Sequence, residues 1–235
     1  MAPLYALPGT LLDDRSLAAM LAGLPATTLA LGDCADLDDE VDRLAAHTAL
    51  PSVWLGHSLG GIVALHLATR HPDKVAALVL LGSNARAGRE MREDRRIAQW
   101  AMAQLDGLTA LVRDDLAPAY GLKTSADSAI TASLSAQAEA IGLVRFERQL
   151  GYARARPGLL APRQSLGCPV LALSGELDTL CPPLHGKEIA SLAQPPGRAE
   201  HHVLGGAGHL FPMQHPDLAA RHLRRFLTSL EQGAI

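Results

Sequence analysis

The chain has 235 residues, with 24 acidic against 21 basic side chains and a formal charge of −3; a chain of this length buries roughly 70–75% of its accessible surface on folding. At 48% hydrophobic and 19% charged residues it is neither disordered nor fibrous. A mildly acidic balance without a dense basic stripe gives nucleic acid or an anionic membrane no electrostatic footprint. Aromatics are only 3%, so the core falls to Ala, Leu and Val. Cys34, Cys168 and Cys181 are too few for a disulfide framework and too widely spaced for a zinc pattern, and they read as reduced thiols. The opening Met1-Ala2-Pro3-Leu4-Tyr5 lacks a basic leader, and no stretch reaches the ~18 apolar residues that span a bilayer. The expectation is a soluble, cytoplasmic chain.

In chain order, short apolar runs alternate with helical patterns, as βα units feeding a parallel sheet do. Residues 4–7 form a strand, Pro8-Gly9 a turn, and 14–21 a helix. A second strand over 28–31 leads into Asp36, Asp38, Asp39 and Glu40, which open a helix running to about Ala49. Carboxylates in a first helical turn oppose the helix dipole, and that reading is preferred here to metal binding. Residues 52–55 are a third strand, 59–70 a buried-looking helix, and 75–81 an almost continuously apolar strand, covered on both faces near the sheet's centre.

From Asn84 to Ser165 the strand signals stop. Arg86, Arg89, Glu90, Arg92, Glu93, Asp94, Arg95 and Arg96 read as a solvated helix face laced with i,i+4 pairs, an anion-binding role for Arg86 or Arg89 being the lesser alternative. Trp100, Met102, Leu105, Leu108, Leu111 and Val112 continue at helical spacing, and 129–150 is a long helix loosened at Gly142. Such an insertion between two parallel strands reads as a cap over 84–165, with 1–83 and 166–235 as the core. The sheet resumes at 168–174, followed by a helix over 185–193, a strand over 200–204 and a last helix over 216–230.

Gly56-His57-Ser58-Leu59-Gly60 fits G-x-S-x-G in the context that pattern requires, between a strand and a helix. A serine on so sharp a turn has strained backbone angles, and side chains two positions to either side would clash. Glycines there let the Ser58 hydroxyl stand clear at the sheet's carboxyl end, beside the positive end of the helix dipole. An ordinary glycine-rich βα turn is the plainer alternative.

A serine hydroxyl needs a base, and the base needs a group that fixes its tautomer. Of ten histidines, His209 stands out, on the glycine-rich loop Gly205-Gly206-Ala207-Gly208 that follows the last strand at the same sheet edge. His57 sits inside the turn with its side chain directed away. His66 and His71 lie on the next helix, and His47, His185, His215 and His222 look helical or helix-flanking. His201 and His202 are neighbours on a strand and point to opposite faces. Asp178 lies just past residues 168–174 and is favoured as the third member over Glu176, which sits nearer the sheet. The chain order is Ser58, Asp178, His209.

On these motifs the chain resembles the α/β-hydrolase superfamily over almost its whole length. Gly56-His57-Ser58-Leu59-Gly60-Gly61 is similar to that family's nucleophile elbow, Gly175-Glu176-Leu177-Asp178 with Pro182 to its acid turn, and Gly208-His209 to its histidine loop. The resemblance implies a three-layer αβα sandwich with a mostly parallel sheet, a helical cap insertion after the family's sixth strand, and no counterpart of the two antiparallel N-terminal strands of larger members. It further implies oxyanion donors at the backbone N–H of Leu59 and of Thr10, in Pro8-Gly9-Thr10, where many members carry His-Gly; Leu11 is the fallback.

The activity so implied is acyl transfer to water on a small-molecule ester, thioester or lactone of a small, mostly apolar acid, without cofactor or metal. Carbon–carbon bond hydrolysis or a lyase step on the same triad, and a non-catalytic ligand receptor of the same fold, are the competing readings.

Overall fold

The computed structural model describes residues 2–90, 93–122, 127–161, 165–194 and 198–233; Met1 of the opening segment and Arg92 of the charged run lie outside them. Six strands, β1 (Leu4–Leu7), β2 (Ala26–Thr28), β3 (Ser52–His57), β4 (Val75–Leu81), β5 (Val170–Gly175) and β6 (Ala199–Leu204), form one sheet in the order β2-β1-β3-β4-β5-β6. All neighbours pair in parallel.

The helices of the core are α1 (Ala18–Leu21), α2 (Leu37–Ala45) and α3 (Leu59–Arg70). Between β4 and β5 come α4 (Glu93–Leu105), α5 (Leu108–Leu111), a π-type turn (Val112–Leu116), α6 (Ala117–Ala119) and α7 (Ser128–Ala155), which breaks at Gly142. After β5 follow α8 (Pro183–Ala190), α9 (Phe211–Gln214) and α10 (Pro216–Glu231).

Because side chains alternate across a strand, each central strand feeds two cores. Trp54, Leu78, Leu80, Val170 and Ala172 pack with Val41 and Leu44 of α2, Val63 and Leu67 of α3, and Ile189 of α8. Val53, Leu55, Ala77, Val79, Leu171 and Leu173 pack with Met20 of α1 and Leu223 and Phe226 of α10. This is the three-layer αβα sandwich expected from the sequence. Helix α3, sandwiched against the sheet, is buried from Leu59 through Ala68, which explains why its apolar residues run all round it.

The described residues between β4 and β5 contain no strand. Their helices share a third core, in which Leu111, Leu134, Ala138, Phe146 and Leu150 pack on Leu11, Leu12 and Leu210 of the loops at the sheet's carboxyl edge. The charged run makes long-range pairs: Arg86 with Glu188 (2.5 Å), Arg95 with Asp115 (3.0 Å) and Glu93 with Arg154 (2.9 Å). Arg86, the first of the two residues considered for anion binding, is therefore engaged with a carboxylate, and Arg89 is exposed.

Several boundaries shift by a few residues from expectation; α2, for one, ends at Ala45 and not near Ala49. The second strand ends at Thr28: after Leu29 N–H donates to Ala6 O (2.9 Å), the chain leaves the sheet edge and Leu31 turns into the core beside α2. Its apolar run marks burial, not ladder pairing. The acidic stretch also does more than oppose a dipole, since Asp36 caps α2 by accepting from Asp39 N–H (2.9 Å). Glu40, fully buried, accepts from Gly32 and Cys34 N–H and pairs with Arg43.

Candidate active site

In the sheet order the chain winds outward from β1 to β2 and then back past β1 to β3. The carboxyl ends of β1 and β3 therefore flank a topological switch point, where open α/β sheets hold ligands. The loop after β1 carries Thr10, and the turn after β3 carries Ser58.

Ser58 occupies φ 53°, ψ −114°, a left-handed conformation that an L-residue keeps only when its surroundings enforce it. They do so through four hydrogen bonds: Ser58 N–H donates to Leu81 O (2.9 Å), and Ser58 O accepts from Gly61 N–H, Ile62 N–H and Ser83 Oγ. The glycines two residues away are sterically required. A Cβ on Gly56 would collide with the backbone of Gly60, and one on Gly60 with the carbonyl of Leu7.

The structure brings Ser58, His209 and Asp178 into one chain of hydrogen bonds. His209 Nε2 lies 3.0 Å from Ser58 Oγ, and His209 Nδ1 lies 2.7 Å from Asp178 Oδ2. Asp178 Oδ1 accepts from the N–H groups of Leu180 and Cys181, each at 2.9 Å. Burial works to raise the Asp178 carboxyl, but the His209 ring and the two N–H groups outweigh it and hold the group below the usual carboxylate range. It therefore stays ionised and accepts from His209 Nδ1–H, which leaves Nε2 facing the Ser58 hydroxyl. Glu176, the rival carboxylate, is exposed and accepts from Gly206 N–H (2.8 Å).

Residues that sequence reasoning did not single out hold this arrangement. His57, at the end of β3, reaches the histidine loop, where its Nε2 meets His209 O at 3.0 Å. Burial, then the nearby His209, pushes His57 down to about 3, so it is a neutral strut whose Nδ1 is buried without a partner among the described residues. Tyr120 of the insertion stacks on the His209 ring, with centroids 5.4 Å apart and planes 14° from parallel. Its separation from His209 in sequence gives no local signal.

The pocket beside Ser58 has a volume of about 180 Å³, and Thr10, Leu59 and His209 share its wall. Leu11 N–H is taken by Gln149 Oε1 of α7 (2.9 Å). The remaining histidines stand elsewhere: His71 pairs with Asp42, His201 with Ser174 Oγ, and His202 with Glu200. Among the described residues no group of three or more His, Cys, Asp or Glu side chains is placed to hold a metal ion.

A family model described as serine aminopeptidase, S33, matches residues 24–213. Among curated proteins, the pimeloyl-(acyl-carrier protein) methyl ester esterase of Chromobacterium violaceum is 49% identical over 55 residues, 23% of this chain and 22% of that protein. The protein of the same name from Vibrio cholerae is 29% identical over 174 residues, 68% of this chain and 64% of its own. The chain thus covers between about a fifth and just under two thirds of the length of these relatives. Among solved structures, MenH from S. aureus superposes with a TM-score of 0.81 at 19% identity, covering 98% of this chain and 94% of that one. The enol-lactonase from Burkholderia xenovorans LB400 gives 0.78 at 20% identity, covering 97% and 92%. At such identities the two structures speak for the fold, and the family match, which spans most of the sequence, speaks for descent. The chain belongs to the serine aminopeptidase, S33, family of the α/β-hydrolase superfamily.

Proposed function

We propose that this protein hydrolyses a carboxylic ester, thioester or lactone of a small acid through an acyl-enzyme on Ser58. The observation that carries the reading is the run of hydrogen bonds from Asp178 through His209 to Ser58 Oγ, opening on the pocket at the switch point. The relatives' names, methyl ester esterases, put the carboxylic ester first of the three.

Ser58 Oγ attacks the acyl carbon while His209 Nε2 takes its proton, and the imidazolium is stabilised by the Asp178 carboxylate. The tetrahedral oxyanion is received by the N–H groups of Leu59 and Thr10, donors of a kind whose loss costs ~2.7–4 kcal/mol each. Engagement of Leu11 N–H by Gln149 favours Thr10 as the donor from its loop. His209 returns the proton to the leaving oxygen or sulfur, and water, deprotonated by the same ring, then cleaves the acyl-enzyme. In this reading residues 1–83 and 166–235 carry the chemistry and 84–165 cap the acyl pocket. Among the described residues no helix is long and apolar enough to cross a membrane, and unpaired Cys34, Cys168 and Cys181 suit a reducing cytoplasm.

The test uses a p-nitrophenyl ester series and a fluorophosphonate probe. Wild type should label rapidly at Ser58 and turn over. Ser58→Ala should lose both while keeping the wild-type unfolding midpoint, and Asp178→Asn should lose kcat by about 10⁴ through the wrong imidazole tautomer. Undiminished turnover in either variant refutes the assignment.

A further inference from the structure

The hydrogen bonds described above reach His209 at its edges: Asp178 Oδ2 at Nδ1, Ser58 Oγ at Nε2 and His57 Nε2 at the carbonyl oxygen. Ring nitrogens hydrogen-bond in the plane of the imidazole, so these partners leave its faces to other groups. Tyr120 takes one face. Its ring centroid lies 5.4 Å from that of His209, with the planes 14° apart, the offset-stacked arrangement that aromatic pairs prefer. The chain has only two Trp, three Tyr and three Phe, and Tyr120 is the one of these types among the described residues that line the pocket beside Ser58.

Tyr120 is held in place by its own segment. It follows α6 directly, its N–H donating to Leu116 O (2.9 Å), while Gly121 and Leu122 N–H return to Pro118 O (3.1 Å) and Ala117 O (2.9 Å). Gly121 sits at φ 87°, which glycine adopts without strain, so the chain reverses just after the ring. The backbone of Tyr120 meets the histidine loop as well: a Cβ on Gly208 would lie 3.3 Å from Tyr120 O, and glycine before His209 admits that approach. Tyr120 is buried, and burial pushes its phenol well above the usual value. The ring is therefore neutral, with the negative face of its quadrupole available to His209. His57, the other ring beside His209 (centroids 5.2 Å apart, planes 40° apart), is kept neutral by burial and adds no charge there.

We infer that Tyr120 is a positioning residue for hydrolysis, its ring face stabilising the positive charge that His209 carries only while the Ser58 proton rests on Nε2. This inference rests on the serine-hydrolase reading above. A neutral imidazole gains little from a π face, whereas a cation within about 6 Å of the ring centroid is attracted to it. The contact is thus stronger in the transition state than in the ground state, which is the condition for it to raise kcat. Asp178 acts on the same charge from the edge of the imidazole, and Tyr120 acts from its face. Because Tyr120 belongs to the segment between β4 and β5, that segment takes part in turnover and does more than cover the pocket.

Three substitutions separate the ring's charge distribution from its bulk. Tyr120→Phe keeps the face and loses only the hydroxyl. Tyr120→pentafluorophenylalanine keeps the shape of that ring but reverses its quadrupole, so that the face repels a cation. Tyr120→Leu removes the ring. Each is compared with wild type by kcat and KM on the best p-nitrophenyl ester of the series, by the rate of fluorophosphonate labelling at Ser58, which also needs His209 to take the serine proton, and by its unfolding midpoint. Tyr120→Phe should retain most of the rate. The fluorinated ring should lower kcat and the labelling rate about tenfold relative to Phe, with KM within about twofold and the midpoint unchanged, and Tyr120→Leu should lose at least as much. Rates for the two rings that agree within about twofold overturn the proposal, because a ring that only fills space does so in either form. A folded Tyr120→Leu variant that keeps the rate of Tyr120→Phe overturns it equally. A wild type that labels at Ser58 but turns over no ester counts against the esterase reading alone, and the labelling rates of the two ring variants still decide the role of Tyr120.

Discussion

Gln149 lies on α7, 138 residues from Leu11 in sequence, yet it fixes the loop that bears the proposed oxyanion donor. Its side chain is buried, accepts from Leu11 N–H at 2.9 Å and donates to Leu31 O at 3.0 Å. Leu11 itself sits at φ 57°, a left-handed conformation that costs a leucine about 1–2 kcal/mol and must be enforced by its surroundings. Gln149→Leu keeps the volume and removes both partners, leaving a buried N–H and a buried carbonyl unsatisfied. At ~1–3 kcal/mol each, less the leucine's own apolar gain, stability should fall by about 2–4 kcal/mol. Released from Gln149, Leu11 relaxes toward ordinary backbone angles and turns the adjoining Thr10 peptide. Complete loss of that donor would cost ~2.7–4 kcal/mol, or about 100–1000-fold in rate. Partial reorientation should therefore lower kcat by about 10–100-fold and leave KM within about threefold. Urea unfolding and steady-state hydrolysis of a p-nitrophenyl ester read the two effects separately. A variant that loses the expected stability but keeps kcat within twofold of wild type would show that Gln149 only braces the fold, and the assignment of Thr10 as donor would lose its support.

Two further outcomes follow from close packing and from burial. Gly60→Ala puts a Cβ onto the carbonyls of Leu7 and Pro8, backbone atoms that cannot yield without unpairing β1 from β3; the variant should lose more than about 3 kcal/mol, and a wild-type urea midpoint would deny so close an approach of α3 to β1. Burial holds His57 down to about 3 and, aided by Arg156, His66 down to about 4. In the unfolded chain both titrate near 6.5, so between that value and their folded values the unfolded state binds more protons and stability must fall with pH. The contribution is complete above pH 6.5 and drains at up to about 1.4 kcal/mol per pH unit for each histidine as pH falls toward 4. Asp178, held below its usual range, contributes stability that is present above the unfolded carboxyl value of about 3.9 and is lost only below it, outside this window. Unfolding midpoints of Ser58→Ala at pH 7.5, 6 and 5 should decline steadily, and a flat profile would contradict the buried neutral state of both rings.

What could be read from the sequence divides by how locally each constraint acts. β1 and β4 lie at residues 4–7 and 75–81 as expected, because strands covered on both faces are written as unbroken apolar runs. The turn at Ser58 was legible for a steric reason: only glycine tolerates the approach of Gly56 to Gly60 and of Gly60 to Leu7, so the geometry leaves its mark within five residues. At the sheet edge the same logic failed. Apolar Leu29, Ala30 and Leu31 look like ladder residues, but the last of them is buried in the core beside α2 and not in the sheet. The supports of the site left no local mark either, because their partners are remote. His57 meets His209 across 152 residues, and Arg156 meets Asn84 across 72. The charged run shows the consequence most clearly. Read along one helix it is a solvated face, whereas in the folded chain Arg86 turns outward to Glu188 and Arg95 and Arg96 turn inward to the pocket where Arg156 already waits. Contacts between the insertion and the sheet edge thus shape the pocket, and the turns at the strand ends place Ser58, Asp178 and His209.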